Sequence, residues 1–221
     1  MSIPTFLALS FFFFLAWSCL FFSLYFAGKF LFGARAIEGT SHLLNLLDTL
    51  ILEVYGLIFI LNYFFFKLWW LNRGFYFLLA SVLAFYLADG LFQFLKRPIN
   101  WSHVMHHSIS IGGVFWMSRY PNLHLEACLL LMFAQITFQY PILSLLRIFR
   151  WTLPHFEYQN AFWLWHLFLL MRGFVIPIFC AWVIYKHQLD WPVALFLGLL
   201  NLWGFILIPN VKRFTHAYLN K

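Results

Sequence analysis

The residues with the chemistry in this sequence are a carboxylate and two adjacent imidazoles. Asp89 has Tyr86 one turn before it and Gln93 one turn after it, and the loop LKRPINWSHV leads on to His106 and His107. Pro98 and Asn100 make that loop tight, which predicts antiparallel neighbouring helices with Asp89 and the histidine pair at similar depth. A carboxylate bonded to one imidazole nitrogen fixes the tautomer and leaves the other nitrogen as base or nucleophile. The plainer reading is that carboxylate and histidine merely satisfy each other across a helix interface. Ionisable groups inside a membrane are functional by default, which puts catalysis by Asp89, His106 and His107 first.

Other polar positions are read around that centre. SHVMHH places His103 on the helical face of His106 and His107, a pattern able to ligate a metal. Membrane hydroxylases and desaturases use several such boxes to hold two irons, and the sequence has no companion box, so no metal is expected. Arg172 is the cation in the middle of an apolar run, a natural partner for Asp48, Glu53 or Asp89, or a holder of an anionic lipid or cofactor group. His42, Asn45 and Asp48 follow one another at one-turn spacing. Gln135 and Gln139 are likewise one turn apart, where interhelical hydrogen bonding is the expected role.

Asp48, Glu53, Asp89 and Arg172 all fall inside apolar runs. At about 2.5–3.5 kcal/mol each for a charge at mid-bilayer, they would together cost about 10–14 kcal/mol if left unpaired. That is comparable to the whole net stability of a domain, about 5–15 kcal/mol. These groups must face inward and pair, or be neutral, so a shared polar interior is required.

The elements that hold them are membrane helices. Of 221 residues, 64% are hydrophobic and 10% charged, 31 being Phe, whereas soluble domains average about 25% charged. Spans are predicted near 5–27, 43–62, 75–95, 102–117, 125–146, 160–185 and 191–208: an all-α polytopic transmembrane bundle of about seven helices in a single domain over 1–221. The fourth segment is short and carries three histidines, so a re-entrant helix is its alternative. The N-terminal apolar run is longer than a signal-peptide core and lacks a basic leader, which predicts a retained first span. Cys19, Cys128 and Cys180 are widely spaced in apolar runs and read as small buried residues.

Charge gives the orientation. Lys29, Arg35, Lys96, Arg97, Arg147, Arg150, Lys212, Arg213 and Lys221 fall on one side of a seven-span chain, and Lys67, Arg73, Arg119 and Lys186 on the other. The richer side is cytoplasmic by the positive-inside rule, which puts the C-terminus in the cytoplasm and the N-terminus in the lumen or outside. The net charge of +7 is scattered at the ends of apolar runs, which describes topology and excludes a nucleic-acid groove.

The run YLADGLFQFLKRPINWSHVMHHSIS resembles the core of TLC-domain membrane proteins, in which a helix with Tyr and Asp precedes a helix with a His-His pair. GTSHLLNLL, FQYPILSLLRIFR, YQNAFWLWHLFLLMRGFVIP and LLNLWGF are similar, in order, to further segments of that family. The resemblance implies six or seven spans around a lipid-accessible cavity, an endoplasmic-reticulum location and membrane lipids as partners. Ceramide synthases in this family transfer an acyl group from acyl-CoA, with no resident cofactor, and their His-His pair corresponds to His106 and His107. Ser110 stands where their motif has Thr, and Gln135 and Gln139 stand where they carry carboxylates. With Arg172 and His42, these make the expected substrate-binding set. In size the chain is closer to the small TLC-domain proteins implicated in membrane lipid composition. The readings are thus an acyltransferase-like lipid enzyme, a non-catalytic lipid-binding or cargo protein, and, third, a metal-dependent hydroxylase.

Overall fold

A computed structural model describes residues 2–95, 99, 101–135 and 139–220. The side chains of Gln93 and His103, and the loop residues Lys96, Arg97, Pro98 and Asn100, lie outside the described residues.

Helix α1, Ile3–Phe32, starts at Ser2, whose Oγ accepts from the Thr5 amide at 3.4 Å. It stops at Gly33, where φ is +54°, a conformation that is cheap only without a Cβ. Helix α2, Ala36–Leu61, runs on into a π-helical turn, Asn62–Phe66. The buried Asn62 side chain then fixes the hairpin: the Leu68 amide donates to its Oδ1 at 2.7 Å, and its Nδ2 donates to the Leu68 carbonyl at 3.2 Å. Helix α3, Trp69–Leu95, and helix α4, Trp101–Met117, form the next hairpin.

Helices α5, His124–Gln135, and α6, Gln139–Phe149, follow along one apolar stretch. Helix α7, Pro154–Leu170, passes through a second π-helical turn, Met171–Val175, into α8, Ile176–His187, so that Pro154–His187 is one rod of 34 residues. Helix α9, Trp191–Leu219, carries Pro209 inside it. Every predicted span corresponds to one of these rods.

Among the described residues six segments are long and apolar enough to cross a membrane: Ile3–Phe30, Ala36–Phe66, Gly74–Phe92, His124–Phe149, within which 136–138 lie outside the described residues, Pro154–His187 and Trp191–Leu219. The exception is α4, whose 17 residues extend about 26 Å at 1.5 Å per residue. A bilayer core is about 30 Å thick. The exterior is what hydrocarbon requires: Phe11, Phe12, Phe64, Phe65 and Phe66 are all exposed.

Helix α3 is the central pillar. In its apolar window 72% of residues are buried, against 17% in α1 and in α9, and it packs on α1, α2 and α4. The α1 contact is aromatic: Phe21 lies 4.4 Å from Phe92 and 6.2 Å from Phe85, ring centre to ring centre, and Trp17 Nε1 donates to Ser81 Oγ at 3.2 Å. Glu126, at the mouth of α5, accepts from Lys186 Nζ and His187 Nε2, each at 3.0 Å, and so ties α5 to the end of α8. A smaller core of Leu143, Ala161, Leu164 and Tyr218 joins α6, α7 and the end of α9.

Candidate functional site

The α3–α4 hairpin brings Asp89 and the histidine pair together, as their spacing predicts. Asp89 is 1% exposed and His107 3%. His107 Nε2 lies 3.2 Å from Asp89 Oδ2, and Ser41 Oγ of α2 donates to Asp89 Oδ1 at 2.8 Å. The other His107 nitrogen, Nδ1, lies 3.2 Å from the Tyr86 carbonyl oxygen. A carbonyl oxygen only accepts, so Nδ1 carries a proton. The contact at Nε2 then needs a proton of its own, held by the ring or by the carboxyl. In either form Asp89 and His107 together carry no net charge, which is how two ionisable groups survive at this burial.

The pair faces a chain of polar side chains drawn from four helices. The Tyr86 ring stands edge-on to His107 at 5.1 Å and to His106 at 6.2 Å. Its hydroxyl accepts from Gln135 Nε2 at 3.3 Å, with the Ser110 side chain near it. Thr49 Oγ1 lies 3.2 Å from Gln135 Oε1 and 3.5 Å from Asn45 Oδ1. His106, unlike His107, is partly exposed; its ring is 5.6 Å from that of His107 and stacks on Trp203 of α9 at 6.2 Å with 14° between the planes.

Of the two expectations for Arg172, the ion pair is not formed. Arg172 is buried on the π-helical turn between α7 and α8, yet it makes no ion pair with Asp48, Glu53 or Asp89. Its Nη2 instead donates to the Ala134 carbonyl at 3.2 Å, while Nε and Nη1 have no partner among the described residues. Asp48, 2% exposed, likewise leaves Oδ2 without one. Gly204 makes the room: a Cβ there would stand 3.3 Å from Arg172 Cδ.

No family model, curated protein or solved structure matches this chain. Its chemistry has to be read from these side chains.

Asp89, His106, His107, Ser110 and Gln135 form one cluster, and Arg172 borders it through Ala134. His42 turns elsewhere, its Nε2 4.0 Å from Glu38 Oε1 and its ring 5.8 Å from Tyr140 of α6. Among the described residues the buried Gln139 has no partner for Oε1 and makes no hydrogen bond into the cluster. Among the described residues no three of His, Cys, Asp and Glu gather as metal ligands, and the side chain of His103 lies outside them.

Sequence reasoning missed Ser41 and Trp203. Ser41 adjoins His42, and a one-residue rotation of the stripe through His42, Asn45 and Asp48 would have found it. Two cavities, of about 20 Å³ between α5, α8 and α9 and of about 280 Å³ at the start of α1, are not lined by Asp89, His106 or His107.

Proposed function

We propose that this multi-pass membrane protein acts on lipids at the Asp89, His107 and His106 centre, and that the reaction is acyl transfer. The observation that carries the reading is the buried Ser41, Asp89 and His107 chain, with a second, partly exposed imidazole, His106, at its edge. In this reading both His107 nitrogens are committed to holding structure, and His106 is the base. A lipid hydroxyl or amine attacks the thioester carbonyl of an acyl-CoA co-substrate, and His106 takes the proton from the attacking atom. The new C–O or C–N bond forms as the C–S bond breaks, and the proton passes to the leaving thiolate. Arg172, with unpartnered donors, binds the phosphate side of that co-substrate, and Ser110 and Gln135 position Tyr86. The ordered resemblance to TLC-domain proteins supports the lipid assignment, an endoplasmic-reticulum location and a cytoplasmic C-terminus.

The test is the lipid composition of cells expressing the protein. His106→Ala abolishes the change that the wild type causes. A His106→Ala variant that accumulates normally and still alters lipids as the wild type does would overturn the reading.

A second reading, a non-catalytic lipid-binding or cargo protein, draws on the same burial: Asp89 and His107 satisfy each other, and neither described cavity reaches them. It expects wild type and His106→Ala to leave lipid composition alike while lipid still co-purifies with both.

A further inference from the structure

At the end of the bundle where α1 and α3 begin and α4 stops, a cavity of about 280 Å³ is lined by Ser2, Phe6, Tyr76, Phe115, Ser118 and Arg119, with Ile3 beside them. Its volume is near the lower limit of the roughly 300–1,000 Å³ of small-molecule sites. Helix geometry sorts the lining into two layers. Ser2, Ser118 and Arg119 sit at the helix ends, while Phe6 and Phe115 lie about one turn, roughly 5–6 Å, further along α1 and α4 toward the bilayer interior. Polar outside and aromatic inside is the order of a lipid's headgroup and acyl chains at a membrane surface.

The charge narrows the choice. Arg119 is exposed, its guanidinium rests 5.7 Å over the Trp116 ring, and it makes no hydrogen bond or ion pair with any described side chain. Among the described residues the cavity lining holds no carboxylate. One guanidinium presents a forked set of donors that matches one oxyanion, and its single charge balances a phosphodiester. Nothing in the lining would receive the ammonium of a zwitterionic headgroup.

We propose that this cavity is a site for an anionic phospholipid of the adjoining leaflet, with the phosphodiester on Arg119 and the glycerol and first acyl methylenes on Phe6, Tyr76 and Phe115. It is separate from the histidine centre: Tyr76 and Asp89 are thirteen residues apart on α3, about 20 Å along the helix.

The experiment is lipid binding to the purified full chain in detergent, followed by native mass spectrometry. The probes are dioleoyl-phosphatidylglycerol, dioleoyl-phosphatidylcholine and soluble glycerophosphoglycerol. Phosphatidylglycerol should bind about tenfold more tightly than phosphatidylcholine, whose ammonium neutralises the same phosphodiester and finds no carboxylate among the described residues of the lining. Arg119→Gln should abolish that preference and Arg119→Lys keep part of it. Equal binding of the two lipids, or a preference unchanged in Arg119→Gln, would overturn the proposal. So would soluble glycerophosphoglycerol binding as tightly as the lipid, which would make this a site for free anions. None of these readouts depends on lipid turnover, so the site stands or falls independently of the acyl-transfer reading.

Discussion

His106 and His107 are neighbours in sequence with different surroundings, and their substitutions should separate accordingly. His107 is locked by Asp89 on one nitrogen and the Tyr86 carbonyl on the other. Removing it leaves a buried carboxyl with a lost partner, a change that costs about 3–5 kcal/mol for a buried pair. Thermal unfolding in detergent should therefore show His107→Ala strongly destabilised. His106→Ala, at a partly exposed ring in contact with Trp203, Tyr86 and His107, should be the less destabilised of the two, within about 1–2 kcal/mol of wild type. Ser41→Ala should fall between them, because it removes one donor to the same carboxyl, at about 1.5–3 kcal/mol. Equal stability of His106→Ala and His107→Ala would contradict the different roles assigned to the two rings. The juxtaposition of Asp89 and the pair was legible because a tight loop joins their helices and sequence distance stands in for spatial distance. Ser41 was not, since its bond to Asp89 crosses 48 residues and two helices. Periodicity names the face of a helix, but not which helix that face meets. For the same reason the bond from Arg172 to the Ala134 carbonyl was not legible, since a search for opposite charges does not register a backbone carbonyl.

Positions of the helices were legible from apolar runs, whereas their terminations were not. The two π-helical turns, at Asn62–Phe66 and Met171–Val175, leave no mark in a hydropathy pattern, yet one closes a hairpin and the other carries Arg172. Connections between elements carry a further device, outside the membrane-spanning segments. Tyr120, after α4, donates its hydroxyl to Asp190 Oδ2 at 2.6 Å, joining the α4–α5 connection to the residue before α9. That hydrogen bond to the carboxylate, with a smaller contribution from burial, raises the Tyr120 pKa above its ordinary value near 10. A raised folded-state value means that the stabilisation is present in full below the unfolded value and is lost as pH rises through the folded one. Tyr120→Phe should thus be less stable than wild type at pH 7, by about 0.5–1 kcal/mol, since the bond is exposed to water. The gap should close as pH climbs beyond about 10. A gap independent of pH across that range would mean that packing of the ring, rather than the bond, links these connections.

Over the whole molecule, the number of passes depends on α4, an element too short for its length alone to mark it as a span. Phe115, Ser118 and Arg119 at the end of α4 share a cavity with Ser2 and Phe6 at the start of α1, and Tyr120 meets Asp190 at the start of α9. The start of α4 lies at the other end, beside the last turns of α3, where Asp89 meets His107. The Tyr218 hydroxyl, near the end of α9, donates to the Leu143 carbonyl of α6, so the C-terminus belongs to the end where α6 leads into α7. Helix α4 therefore runs from one end of the bundle to the other, although its 17 residues fall a few ångströms short of a bilayer core. Local thinning of the bilayer accommodates a mismatch of that size at fractions of a kcal/mol per ångström. If α4 crosses, the chain makes seven passes and its termini face opposite sides; nine basic residues against four then predict a cytoplasmic C-terminal end. The check is protease protection of short tags in sealed microsomes: a tag after Lys221 should be digested from the cytoplasmic side and one before Ser2 protected. Digestion of both would mean that α4 does not complete the crossing, and Asp89 and the histidine pair would then lie in a re-entrant hairpin open to one surface.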